Sequence, residues 1–433
     1  MDIQTVAIGF AVMLACLLLS VPVAAVMTIT GVVGGAALYG MPLVNSMGSV
    51  VWGVLNDSLM TAIPLFILLG EILLRSGIAD RMYEALSLWL GRLPGGLLHS
   101  NIGASALFSA TSGSSVATAA TVATVSLPAL DKRGYAVRRS LGTLAAGGTL
   151  GILIPPSVNL LIYGSLAGES VARLFVAGIL PGILLTSLFS LYIAIEAKLF
   201  PAGEQSFEAV DWSARFASLK HLVGPMVIFL VITGSIYTGF ATPTESAALG
   251  VVVALAIVMF RRGLSIDFMR QCFFNTARTS GMILLIVTGA FMLNVTLSIG
   301  GVAQAATDWV ASLGLSPTGL LIAFILFYII LGMFMDVLSM MVLTIPVALP
   351  IVTQAGIDPI WFGIFIILMC ELGLITPPVG MNLYVVHGVR SDDGPFRDVA
   401  WGALPYVALM ILFTLILIAF PAIVTWLPAQ MQG

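Results

Sequence analysis

Charge is what this sequence has least of: Asp, Glu, Lys and Arg make up 9% of its 433 residues, against roughly a quarter in soluble domains. With 59% hydrophobic residues and a mean hydropathy of +1.11, that scarcity excludes a water-soluble globule. The 17 Lys and Arg against 20 Asp and Glu leave a formal net charge of −3, so no basic surface exists to draw a polyanion and no nucleic-acid binding is expected. Cysteine and histidine are scarce too. Cys16, Cys272 and Cys370 lie far apart in apolar runs, with none of the spacings of a zinc site, haem attachment or redox pair, and read as small hydrophobes. His99, His221 and His387 share no ligand spacing and read as structural. No GxxxxGK[ST] loop and no soluble binding domain occur, so energy is expected from an ion gradient rather than from a nucleotide. The amino terminus has no basic stretch, the first positive residue being Arg75, and the first helix is therefore expected to stay in the mature protein.

What is there is apolar and repeatedly broken. The 44 Gly and 21 Pro are spread through hydrophobic stretches, as in membrane helices interrupted at depth. The chain reads as an all-α integral membrane protein with about ten transmembrane helices, at 3–20, 22–38, 58–75, 135–167, 174–199, 221–237, 243–260, 276–297, 361–388 and 401–426, each near the length a bilayer requires. Two further apolar stretches, 97–130 and 316–352, are interrupted near the middle and read as re-entrant helical hairpins. With the amino terminus outside, every Lys and Arg except Arg173 falls on the inner side, as cytoplasmic loops require. Residues 39–57 and 300–317 contain no Lys or Arg and read as external loops. Residues 81–92 form an amphipathic segment at the inner interface.

The second half repeats the first. Leu150-Gly151-Ile152-Leu153-Ile154-Pro155-Pro156 recurs as Leu372-Gly373-Leu374-Ile375-Thr376-Pro377-Pro378, displaced by 222 positions. Pro22 and Pro243, and Ser114 and Asp336, match at nearly the same displacement. Five crossings separate matching points, so the copies are expected to be inverted repeats, over 1–200 and 221–433, joined by a polar cytoplasmic connector at 201–220.

Each Pro-Pro removes a backbone donor and splits a crossing into half-helices. Their carboxyl ends present carbonyls to a cation and their amino ends present N–H groups to an anion. Cation ligands are expected from Ser109, Ser112, Gly113, Ser114, Gly151 and Ile154 in the first half, and from Gly332, Asp336, Ser339, Gly373 and Thr376 in the second. These are hard oxygen donors suited to Na+, although Asp336 at membrane depth also offers a proton site. An organic acid is expected between the halves, against Ser115, Thr118, Ser157, Asn159, Gly380 and Asn382. No Lys or Arg is among them.

Plainer readings exist for each feature. Small residues at 109–115 suit close helix packing in lipid, and Pro-Pro can be a simple kink. Glu245, after Thr242-Pro243-Thr244, offsets a helix dipole on one reading. Glu71 and Glu371 read as stabilising the scaffold or its interfaces.

Taken together, the passages IPLFILLGEILLRSGIADRM (63–82), GRLPGGLLHSNIGASALFSATSGSSVATAAT (91–121), GTLGILIPPSVNLLIYG (148–164), LFVAGILPG (174–182), GFATPTESAALG (239–250) and ITPPVGMNLYV (375–385) resemble the large membrane subunit, DctM type, of the tripartite ATP-independent periplasmic (TRAP) transporters. The resemblance runs in order along nearly the whole chain. It implies a sodium-coupled, elevator-type importer of organic acids such as sialic acid or C4-dicarboxylates in the bacterial inner membrane. It further implies Na+ as coupling ion at two sites, a small four-helix membrane subunit and a periplasmic substrate-binding protein. The small subunit is expected to be a separate chain. Ser157-Val158-Asn159 departs from the family's usual Ser followed by apolar residues and bears on Asn159 as a substrate contact. The rival readings are a stand-alone sodium/dicarboxylate symporter, a pure assembly scaffold, and an intramembrane hydrolase using Ser114, which lacks a GxSxG elbow.

Overall fold

The computed structural model describes residues 3–19, 21–201, 211–261, 263–390 and 392–431, and all regular structure among them is helical. Most of the expected connector (202–210) and Arg262, assigned to the inner side, lie outside the described residues. The first half runs α1 (Ile3–Leu18), α2 (Val23–Tyr39), α3 (Met41–Leu55), α4 (Ser58–Arg75), α5 (Ile78–Leu90), α6 (Leu97–Ser112), α7 (Ser115–Lys132), α8 (Val137–Gly148), α9 (Leu150–Leu153), α10 (Val158–Ala167) and α11 (Val171–Leu199). The second runs α12 (Trp212–Ser218), α13 (Lys220–Tyr237), α14 (Pro243–Phe260), α15 (Ile266–Ile299), α16 (Val302–Ser312), α17 (Pro317–Gly332), α18 (Val337–Gln354), α19 (Pro359–Leu374), α20 (Met381–Val389), α21 (Phe396–Ala419) and α22 (Ala422–Thr425).

Helix starts are fixed by residues that satisfy first-turn amides, a strong requirement where no water competes. Asp57, Ser114, Ser157, Ser170, Ser265, Ser316, Asp336 and Asp358 each accept such an amide. Thr242 and Glu245 form a reciprocal capping box at the start of α14, which gives Glu245 its local role. Glu71 is bound within the helix layer, accepting from Arg75 at 3.0 Å and Asn275 at 3.1 Å.

Helix order repeats with the sequence. The span of α8 and α9 returns as α19, α7 returns as α18 at the same displacement, and α10 and α20 follow the two breaks. Packing repeats in exchanged pairs as well. α6 and α7 pack on α8, as α17 and α18 pack on α19; α20 lies against α7 as α10 lies against α18; α14 lies on α4 as α2 lies on α15. The copies differ in one long element: α3 and α4, separated at Asn56-Asp57, correspond to the continuous α15 of 34 residues. Where α8 crosses α21 the backbones touch, since a Cβ on Gly142 or Gly402 would lie 2.1 Å from the other helix's carbonyl oxygen.

Several expected boundaries change. Seven described helices are long and apolar enough to cross a bilayer, or up to nine when two bent pairs count as single spans, against the ten expected. The segments at 3–20 and 22–38 are helices of 16 and 17 residues, and 361–388 divides into α19 and α20. Residues 39–57 and 300–317, expected as external loops, hold α3 and α16. Their lack of Lys and Arg gave no helix signal, yet α3 buries Leu43, Met47 and Val54 and α16 buries Val302 and Thr307. α16 and α17 meet at a bend of 117°. The amphipathic segment is helical as α5, from Ile78 rather than Arg81, burying Ile78, Met82, Tyr83 and Leu86 at helical spacing.

Candidate functional site

The expected site residues fall at two junctions, each made by a hairpin tip and a Pro-Pro break. In the first, α6 ends on Gly113 at φ 62°, a conformation that glycine adopts without a Cβ penalty. A Cβ there would lie 2.8 Å from the Pro156 carbonyl oxygen, so tip and break are in direct contact. Ser114 caps α7, its hydroxyl accepting from the Ala117 amide at 3.4 Å. A Cβ on Gly151 would stand 2.6 Å from the Ser115 nitrogen, which brings α9 onto the start of α7. Beyond α9, Ile154 is extended and Ser157 caps α10 through the Leu160 amide at 3.3 Å. Gly113, Ser114 and Gly151 thus meet at one junction, next to Ser157, whose Cα is 3.6 Å from the Gly113 Cβ position. Ser112 closes α6 and Ser109 stands one turn back, its carbonyl accepting the Gly113 amide. Ile154 follows α9 with its side chain against Gly182 of α11. The Ser109 hydroxyl is buried with no hydrogen-bond partner among the described residues.

The second junction is as close. Gly332, closing α17, and Gly373, near the end of α19, meet backbone to backbone, a Cβ on Gly332 falling 2.6 Å from the Gly373 Cα. Asp336 caps α18: one oxygen accepts the Leu338 and Ser339 amides at 3.0 and 3.2 Å, and the other accepts the Ser339 hydroxyl. Asp336 and Ser339 are therefore joined to each other, and the carboxylate already works within its own first turn. Thr376 donates to the Leu372 carbonyl at 2.6 Å, and Gly380, at φ 52°, sits 3.1 Å by its Cβ position from the Thr376 carbonyl oxygen. Both Pro-Pro bonds, Pro155-Pro156 and Pro377-Pro378, are cis.

Between the junctions the halves interlock. Asn382 of α20 reaches α8: its side-chain nitrogen lies 3.5 Å from the Ala145 carbonyl oxygen and 2.9 Å from the Cβ position of Gly148. The same Gly148 position is 3.2 Å from the Ser115 carbonyl oxygen. Asn382, Gly148 and Ser115 therefore meet, and the Asn382 side-chain oxygen is left without a partner among the described residues. Thr118 is turned inward, donating to the Ser114 carbonyl at 2.7 Å with Ser112 at 3.2 Å. Asn159 is buried on the first turn of α10.

Sequence reasoning missed one participant. The Ser115 hydroxyl, expected to face a substrate, donates to the carboxyl of Glu371, which is fully buried on α19. Glu371 was read as a scaffold or interface residue; it lies between the broken helix of one half and the hairpin of the other. The available signal was its position, an acid in the run Ile367–Leu374, two residues before the repeated glycine Gly373.

At one end of the molecule Arg390 donates to Asp392 at 2.6 and 2.7 Å, and Arg138 pairs with Asp398 at 3.1 Å. Two of the three histidines make local contacts: His99 meets the Pro94 carbonyl at 2.7 Å and His387 packs on Phe396.

The architecture is that of a multi-pass helical membrane transporter. The fold is similar to that of the YdaH transporter of Alcanivorax borkumensis, with a TM-score of 0.63, 14% identity and 88% of each chain covered. The chain belongs to the DctM component family of tripartite ATP-independent periplasmic transporters, whose model matches residues 10–423. It is 32% identical over 394 residues to the C4-dicarboxylate TRAP transporter large permease protein DctM of Pseudomonas aeruginosa, covering 90% of this chain and 91% of the relative. The ectoine TRAP transporter large permease protein TeaC of Halomonas elongata is 29% identical, with 96% and 97% covered. The isethionate TRAP transporter permease protein DctMQ of Oleidesulfovibrio alaskensis is 31% identical, with 94% of this chain but 64% of that relative covered. The protein is thus a large permease subunit of a TRAP transporter.

Proposed function

We propose that this chain carries an organic anion inward together with Na+, binding both where the hairpin tips meet the broken helices. The observation that carries the reading is the pair of junctions, Gly113 on Pro156 and Gly332 on Gly373, where helix ends converge with hydroxyls, carbonyls and one carboxylate and no Lys or Arg. Such ends suit a small hard cation at the carboxyl-terminal side and an anion at the amino-terminal side. Na+ travels with the substrate as the coupling ion. Ser109, Ser112, Gly113, Ser114, Gly151 and Ile154 form its first site; Gly332, Asp336, Ser339, Gly373 and Thr376 form its second. Ser157, Asn159, Gly380 and Asn382 line the anion position, with Ser115 and Thr118 behind it.

The two copies are inverted repeats, with the amino terminus in the periplasm and the chain in the bacterial inner membrane. Hairpins and broken helices move as one body against the layer of α2, α4, α14 and α15, in elevator fashion. A small four-helix membrane subunit braces that layer and a periplasmic binding protein delivers the substrate. Relatives of nearly equal identity are named for C4-dicarboxylate, isethionate and ectoine, which favours selection of the substrate outside this chain.

The test is uptake into proteoliposomes of this chain and its small subunit, with an imposed Na+ gradient and a panel of organic acids, each with and without its loaded binding protein. Uptake requiring Na+ and one binding protein supports the reading and names the substrate. Full-rate uptake without any binding protein would move the chain to the stand-alone symporters, and uptake driven by pH alone would make Asp336 a proton carrier.

A further inference from the structure

Glu371 is a fully buried carboxyl that the carrier reading leaves unused. It lies at a depth where an unmatched carboxyl is costly and is kept only for a purpose. Its backbone and its side chain belong to different junctions. Two residues further along α19 is Gly373, locked on Gly332 in the second junction. Its carboxyl accepts the hydroxyl of Ser115, the residue after Ser114 and in backbone contact with Gly151 in the first. The carboxyl also faces the backbone N–H of Ile152 on α9, so both of its partners belong to the first junction. The repeat does not return the favour: 222 positions earlier stands Thr149, whose hydroxyl turns back to its own helix at the Ala146 carbonyl, 2.6 Å away.

We propose that Glu371 is a positioning residue that couples the two cation sites through its hydrogen bond to Ser115, so that filling one site sets the geometry of the other. This inference rests on the carrier reading above. A cation drawn between Gly332 and Gly373 would shift the end of α19 and with it the carboxyl that holds Ser115. Ser115 in turn fixes where the Ser114 carbonyl and hydroxyl stand against α9. The coupling runs through one side chain in one direction of the repeat, so the sites are linked without being equivalent. Coupling of this kind is a free energy shared between sites and appears as cooperativity.

The experiment is equilibrium binding of radiolabelled Na+ to the full chain in lipid nanodiscs, with choline replacing Na+ to hold ionic strength, alongside thermal unfolding in choline alone. The wild type is expected to titrate sigmoidally, with a Hill coefficient approaching about two, the number of sites. Glu371→Gln retains an acceptor for Ser115 and should keep that shape. Glu371→Leu and Ser115→Ala should bind with a Hill coefficient near about one and a half-saturating Na+ raised about tenfold, the weight of one lost hydrogen bond to a carboxyl. A structural role alone would lower the unfolding midpoint of these variants and leave the shape sigmoidal. Wild-type cooperativity in Ser115→Ala, or a Gln variant as damaged as the Leu variant, would overturn the proposal; should Glu371→Leu fail to fold, Ser115→Ala decides. A wild type that ignores Na+ brings down the carrier reading itself, whereas a sigmoidal wild type with unaltered variants removes only the bridge.

Discussion

Around the first break Pro155, Pro156, Ser157 and Asn159 are all buried, while around the second Pro378, Val379, Met381 and Tyr384 reach the surface, Tyr384 with 51% of its area exposed. The hairpin tips differ in the same sense: Ser112 and Gly113 are covered, and Phe334 is 51% exposed. At the breaks themselves the chain follows the same plan in both halves, down to the cis Pro-Pro bond. The difference is cover and charge, a hydroxyl capping α7 and a carboxylate capping α18. One plan executed twice thus yields a closed junction and an open one, and accessibility is decided by what packs over a junction rather than by its backbone.

The comparison breaks most sharply at its glycines. Val at Gly151 or Gly373 would place a Cβ 2.6 Å from the Ser115 nitrogen or 2.7 Å from the Gly332 Cα. Overpacking of this kind costs roughly 1–3 kcal/mol, and uptake should fall about ten- to a hundredfold in both variants; tolerance in one half alone would show that only the other junction is used. Exposure gives the next contrast. In detergent-solubilised protein Tyr384→Cys should react with a small maleimide at least about tenfold faster than Asn159→Cys, since thiol reaction needs access, and equal rates would mean that the first junction opens freely.

Capping separates charge from geometry. Asn caps a helix about as well as Asp, so Asp336→Asn should keep its unfolding temperature while the Na+ needed for half-maximal uptake rises about tenfold, because ligand charge sets cation affinity. Ser114→Ala should instead lower stability by about 1 kcal/mol. Unchanged Na+ dependence in Asp336→Asn would remove that carboxylate from the site.

The smallest effect lies in the loops after the breaks. Hydrogen bonds from Arg390 hold the Asp392 carboxyl below its usual range, whereas burial, with Asp358 nearby, pushes Glu169 up. A lowered carboxylate stabilises the fold above its unfolded value, near about 3.9, and that contribution disappears as pH falls through the folded value. A raised one has the opposite sign, adding stability on acidification. Asp392→Asn should therefore flatten the acid loss by less than about 1 kcal/mol, as for a screened surface pair, and Glu169→Gln should flatten the acid gain, both read by thermal unfolding between neutral and acidic pH.

Much of this plan was legible in the residues. Pro155-Pro156 and Pro377-Pro378 announced the breaks because proline removes a donor wherever it stands, and the polar interruptions ending at Ser114 and Asp336 marked the hairpin tips, although their capping of α7 and α18 did not show in the residues. α3 and α16 were not legible, since short helices with a narrow buried stripe resemble loops when span length is the criterion. Glu371 was visible as an acid in an apolar run, but its partner is 256 positions away, and spacing within one helix carries no information about a contact made across the repeat. Asp336 shows the converse: the residue was found and its neighbourhood named, while its hydrogen bonds to α18 emerged only from the fold.

α15 spans 34 residues without interruption, about 51 Å at the rise of an α-helix, where hydrocarbon occupies only about 30 Å. Some 20 Å must therefore project, and its polar first turns, with Asp267, Arg270, Gln271 and Asn275, are the part equipped to do so. Its counterpart is jointed at Asn56-Asp57. In mechanical language, one half of the molecule is built on a beam and the other on a knee.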